Sequence, residues 1–105
     1  MPAGFPGDVP IYPKARLTAG AGFVSTGQTS WGMEWETLDS VTKVQAFYEQ
    51  NMSKGDWTIS FAKKASDSFA ATFGRKSNNA VTGTLASNSA GGVTRILMSL
   101  VAPLS

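Results

Sequence analysis

The sequence predicts an α+β domain: an antiparallel sheet of about six strands in the order ββαββββ, with one helix packed on one face. Three observations predict it. Large apolar residues alternate with small polar ones along six separate runs, the pattern of half-buried strands. A single segment breaks that alternation for a spacing of three and four. The turns after that segment have lengths that return every apolar set to one side of the sheet.

The elements follow in order. Residues 1–16 hold four of the five prolines, and each X-Pro step extends the residue before it. Residues 1–8 therefore read as a flexible lead-in and residues 9–105 as one domain, with Ile11 and Tyr12 of "VPIYP" turned back onto the core. Two strands come next, "AGFVST" and "TSWGMEWETL", separated by Gly27-Gln28 in the manner of a type II′ hairpin. On the second, Trp31, Met33 and Trp35 share one face, and Gly32, Glu34 and Glu36 share the other. The Gly-rich "AGAGF" at 19–23 reads as a bend or bulge. It has a G-x-G but lacks the third glycine and the strand-to-helix setting of a phosphate loop.

The helix is predicted at about 40–54, capped by Asp39 or Ser40, with Leu38, Val41, Val44, Phe47, Tyr48 and Met52 forming its apolar stripe. Lys54 falls in its last turn and Gly55 suits a left-handed terminator. Four runs then form a meander: "WTISFAKKA", "DSFAATFGRK", "NAVTGTLASN" and "GVTRILMSLV". A turn centred near Ala65 places Trp57, Ile59 and Phe61 on the face of Phe69, Ala71 and Phe73. "RKSNN" brings in Val81 and Leu85, and the even loop "SAGG" selects Ile96, Met98 and Leu100.

Composition restricts the chemistry. At 105 residues the chain suits one core, and 42% hydrophobic against 15% charged residues is too apolar for a disordered chain. With no Cys and no His it has no thiolate nucleophile, disulfide, imidazole base or Cys/His zinc site, and no motif calls for a cofactor or a metal. The net charge of +2 comes from nine scattered Lys and Arg, without the basic stripe that nucleic acid requires. No window approaches a membrane span, and "MPAGFPGDVP" has neither half of a signal peptide.

Three candidate surfaces remain. Glu34 and Glu36 lie on one strand face at an acid–base spacing, but two acidic residues on a solvated face are ordinary and no base or nucleophile accompanies them, so the chain is not expected to be an enzyme. Trp31 and Trp35 present two indoles on one face, able to stack on a sugar or planar ligand or else to fill the core under the helix. Opposite the helix, Thr58, Ser60, Thr72, Thr82, Thr84 and Leu97 belong to a smooth face of small neutral side chains, suited to a second copy or a protein partner.

"DVPIYPKARL" followed by "MEWETLDSVTKVQAFYEQNMSKGDW" resembles a small bacterial domain with a "VPxYPGA" opening, "FY" in a capped helix and "GW" before the next strand. The matching residues are Val9 to Pro13, Phe47-Tyr48, and Gly55 with Trp57; Lys14 replaces the glycine and Asp56 interrupts "GW". The resemblance implies an exported or lipid-anchored parent, extracytoplasmic, of unknown function. The expectation from residues and resemblance together is a non-catalytic binding or scaffolding module.

Overall fold

The computed structural model describes residues 5–103 apart from residue 66. Its order is β1 (Arg16–Ser25), β2 (Gln28–Thr37), α1 (Val41–Met52), β3 (Trp57–Lys64), β4 (Ser68–Arg75), β5 (Asn78–Ala90) and β6 (Val93–Pro103), the predicted ββαββββ. All strands pair antiparallel in one sheet, ordered β1-β2-β6-β5-β4-β3. The meander after the helix thus winds back until β6 lies beside β2. That closure brings Trp31 opposite Leu100, Met33 opposite Met98 and Trp35 opposite Ile96, all buried. Burying both partners of a cross-strand pair fixes the register, because a slip of one residue turns every one of these side chains to solvent.

Alternation divides the sheet into an inner face, covered, and an outer face, open. Ser40 caps the helix, its Oγ accepting from the Lys43 amide at 3.3 Å, and Val41, Val44, Tyr48 and Met52 are buried over β3, β4 and β5. The inner face predicted for Trp57, Phe69, Phe73, Val81, Leu85, Ile96, Met98 and Leu100 is the buried one.

Local details differ from expectation where backbone geometry has two solutions. The first hairpin turns at Thr26-Gly27, not Gly27-Gln28: Ser25 pairs with Gln28, and Gly27 takes φ +78° as the second central residue. A glycine at that position fits a type II turn as well as one at the first position fits type II′. The Gly-rich run is regular strand, and the bulge sits just before it at Thr18. The helix closes at Ser53 in right-handed geometry; Gly55 does not adopt positive φ, and Lys54 lies past the last turn. Leu38 is exposed rather than part of the stripe. In the β3–β4 hairpin Phe61 faces Ala71 and Ile59 faces Phe73, two residues along from a turn centred on Ala65, with a bulge at position 62 absorbing the shift while the facing is kept.

The lead-in completes the inner layer. Residues 1–4 lie outside the described residues, as do 104 and 105 at the far end. Phe5, ahead of the expected boundary, packs edge-on against Trp31 with ring centroids 5.8 Å apart, and Val9 and Tyr12 are buried. Tyr12 stands edge-on to Phe47 at 5.3 Å and donates from Oη to Asp39 Oδ2 at 2.5 Å. Burial, then the Asp39 carboxylate, pushes its phenol up to about 12 from an ordinary 10.0. A raised folded value means the neutral phenol is favoured in the fold. Its contribution to stability is complete below pH 10 and is lost as pH rises toward about 12.

A methyl group on Gly83 would lie 2.6 Å from the Phe73 ring and collide with the Ser99 carbonyl, whereas one on Gly32 meets nothing within 4 Å. Gly83→Ala should therefore cost about 1–3 kcal/mol by urea denaturation, and Gly32→Ala should be neutral or slightly stabilising. Tyr12→Ala should cost about 1–3 kcal/mol. Tyr12→Phe should flatten the alkaline loss of stability, read as thermal midpoint across pH 10 to about 12.

Candidate functional site

Because paired residues share a face, the outer side of the sheet can be laid out in cross-strand rows. Ala19, Glu34, Leu97, Ala86 and Ala70 form one row; Ala21, Gly32, Ser99, Thr84, Thr72 and Ser60 form the next; Phe23, Ser30, Val101, Thr82, Gly74 and Thr58 form a third. The residues predicted for the open face, Thr58, Ser60, Thr72, Thr82, Thr84 and Leu97, all lie here and all are exposed, with Leu97 at 39% the largest apolar side chain among them.

Small side chains leave this face indented. One concavity of about 410 Å³ is bounded by Ala19, Gly32, Glu34, Thr84, Ala86, Leu97 and Ser99. A second, of about 570 Å³, adjoins it and is bounded by Thr58, Ser60, Thr72, Thr82, Thr84 and Val101, among others. Thr84 and Ser99 belong to both. Their hydroxyl oxygens are 2.7 Å apart, so the pair satisfies part of its own hydrogen-bonding need and presents methyl and methylene surface between the two concavities.

The carboxylates on this face have local partners. Thr18 Oγ1 donates to Glu34 Oε2 at 2.9 Å. Glu36 lies between two guanidinium groups, Arg16 at 3.3 Å and Arg95 at 3.5 Å. Glu34 and Glu36 do share a face, but their contacts differ and a different row holds each. Among the described residues no three His, Cys, Asp or Glu side chains are placed to hold a metal ion, and no helix is long and apolar enough to cross a membrane.

Trp31 and Trp35 sit on the other side of the sheet, 6% and 2% exposed, among the core residues, with Phe5 of the lead-in against Trp31. A ligand reaching Trp31 would have to displace Phe5.

One cluster had no local signal in the sequence. Arg75 forms a two-pronged pair with Asp8, Nη1 to Oδ2 at 2.8 Å and Nη2 to Oδ1 at 3.0 Å, reaches Asp56 at 3.3 Å, and lies 4.3 Å over the Trp57 ring. Asp56 also accepts from the Ser77 amide at 3.1 Å and from its hydroxyl. The group fastens the lead-in and the α1–β3 loop to the β4–β5 turn, a structural role in which two carboxylates share one guanidinium and Ser77 supplies further donors to Asp56.

On sequence comparison the chain belongs to the START domain-like family, whose family model matches residues 18–91, from the bulge in β1 to the β5–β6 turn. Comparison with curated proteins and with solved structures gave no match.

Acid should loosen the Arg75 cluster. The Arg75 hydrogen bonds hold Asp8 below its ordinary 3.8, and Ser77 followed by Arg75 does the same for Asp56. Depressed carboxylates stabilise the fold above that ordinary value and cease to as pH falls through the folded one. Arg75→Met should therefore make the thermal midpoint less dependent on pH below 3.8 than in the unaltered protein.

Proposed function

We propose that the domain is a non-catalytic binding module of an exported bacterial protein, and that it takes a flat, uncharged, largely apolar ligand on the outer face of its sheet. The observation that carries this is the concavity over Ala19, Gly32, Ala86 and Leu97. Its volume of about 410 Å³ falls within the range of ligand pockets, and an apolar floor meets a few polar groups at Glu34, Thr84 and Ser99. Membership of a START domain-like family supports ligand binding. The exported setting rests on the resemblance carried by "VPIYP", Phe47-Tyr48 and Gly55 with Trp57.

A second reading is a protein partner laid across the whole face. It is favoured by the adjoining Thr-lined concavity, which makes the indented area wider than one small molecule fills.

Titration with Nile red, a neutral planar dye, separates these. Saturable binding with a blue-shifted emission is expected, weakened about tenfold or more by Ala86→Trp, which fills the concavity. No saturable binding, or equal binding by Ala86→Trp, overturns the small-ligand reading.

A further inference from the structure

The edge strand β1 has an unusual position. The helix packs over β3, β4 and β5, and Phe5 covers Trp31 on β2, so all ten residues of β1 are exposed on both sides of the sheet. Phe23 is 66% and Val24 73% exposed. The strand carries one charge, Arg16 at its first position, and no proline. Charged residues, prolines and short length are the usual devices that keep a sheet edge from pairing. Of these β1 has only the charge and, near the same end, the bulge at Thr18, which leaves Ala19–Ser25 regular.

We infer that a second copy of this chain pairs with β1 edge to edge, antiparallel about a two-fold axis at Ala21, and that Phe23 of each copy walls the outer-face concavity of the other. The register is the evidence. Alternate residues of an antiparallel strand bond to opposite neighbours. Counting from the Ser25–Gln28 pair that closes the hairpin, Phe23, Ala21 and Ala19 bond to β2, which leaves the N–H and C=O groups of Val24, Gly22 and Gly20 directed to the open edge. An axis at Ala21 sets Gly20 against Gly22 of the second copy, a hydrogen-bonded pair with no side chain between the backbones. It sets Ala19 against Phe23.

Beyond the bulge the same axis brings Leu17, 37% exposed, opposite Val24 of the other copy, with Thr18 as the extra residue. Every pair matches face to face: Leu17 with Val24 on the inner side, Ala19 with Phe23 on the outer. The only charge, Arg16, meets Ser25, so no like charges oppose each other.

Ala19 lines the concavity of about 410 Å³ beside Gly32 and Leu97. A phenyl ring directly across from a methyl group, in pairs whose Cβ atoms lie about 4.5–5.5 Å apart, extends over that methyl toward the glycine gap. Pairing through one edge strand buries little side-chain surface, which places the contact at the small, weak end of protein interfaces. The dimer is therefore expected to exchange readily.

This inference goes beyond the binding-module reading and has its own test. The chain has no cysteine, so Ala21→Cys introduces a single thiol at the axis. Alpha carbons in such a non-hydrogen-bonded pair lie about 4.5 Å apart, within disulfide range. Mild oxidation should convert Ala21→Cys to a disulfide dimer far faster than Thr42→Cys, which is exposed on the helix. Sedimentation velocity up to about 1 mM should show a concentration-dependent dimer that Val24→Lys abolishes, with an unchanged circular dichroism spectrum. A monomer throughout that range, equal cross-linking of the two cysteine variants, or an undiminished Val24→Lys dimer overturns the inference. None of these readouts depends on Nile red binding.

Discussion

A single short helix cannot cover a six-stranded sheet. Twelve residues make a rod about 18 Å long and 10 Å wide, while six strands spaced about 4.8 Å apart span roughly 24 Å between the outermost backbones. Phe23 apart, the aromatic bulk of the strands lies on the covered side, so the shortfall has to be met from elsewhere. The proline-rich lead-in helps meet it: Phe5 stands against Trp31, while Val9 and Tyr12 join the same buried cluster, Tyr12 against Phe47 of the helix. Where the lead-in stops, cover stops, and β1 is left exposed, Leu17, Phe23 and Val24 included.

The same alternation that fills one side impoverishes the other. Most large residues directed inward alternate with small ones directed outward, and the outer rows accumulate Ala, Gly, Ser and Thr, with Glu34, Glu36 and Leu97 among the larger exceptions. The result is a face with few charges and two adjoining hollows, with the charged row Arg16, Glu36 and Arg95 confined to one margin. A solvated sheet in a small domain more often carries charge on such positions. The binding reading rests on that difference.

Much of this was legible from the residues because period two is a strong local signal and loop parity transmits it from strand to strand. Trp57, Phe69, Leu85 and Ile96 could be assigned to one side without knowing which strands were neighbours. Other features were hidden for identifiable reasons. A turn containing one glycine admits two placements, which shifted the first hairpin by a residue. The bulge near Phe61 moves the pairing while leaving the facing intact, and alternation reports only the facing. The junction of β2 with β6 and the Asp8–Arg75 pair, 67 residues apart, depend on distant parts of the chain that no local pattern encodes. The face containing Thr84 and Leu97 was visible as a composition, but its hollows depend on which strands lie side by side and on the Thr84–Ser99 contact.

The Arg75 clasp has a bearing on the order of assembly. Synthesis delivers Asp8 long before Trp57 and Arg75 exist to receive it, so this segment is among the last to find its place. Closing so long a loop costs entropy that only a preformed docking surface repays, which assigns the lead-in to the late side of the folding barrier. Until then, the Trp31 end of the hydrophobic layer stands open to water.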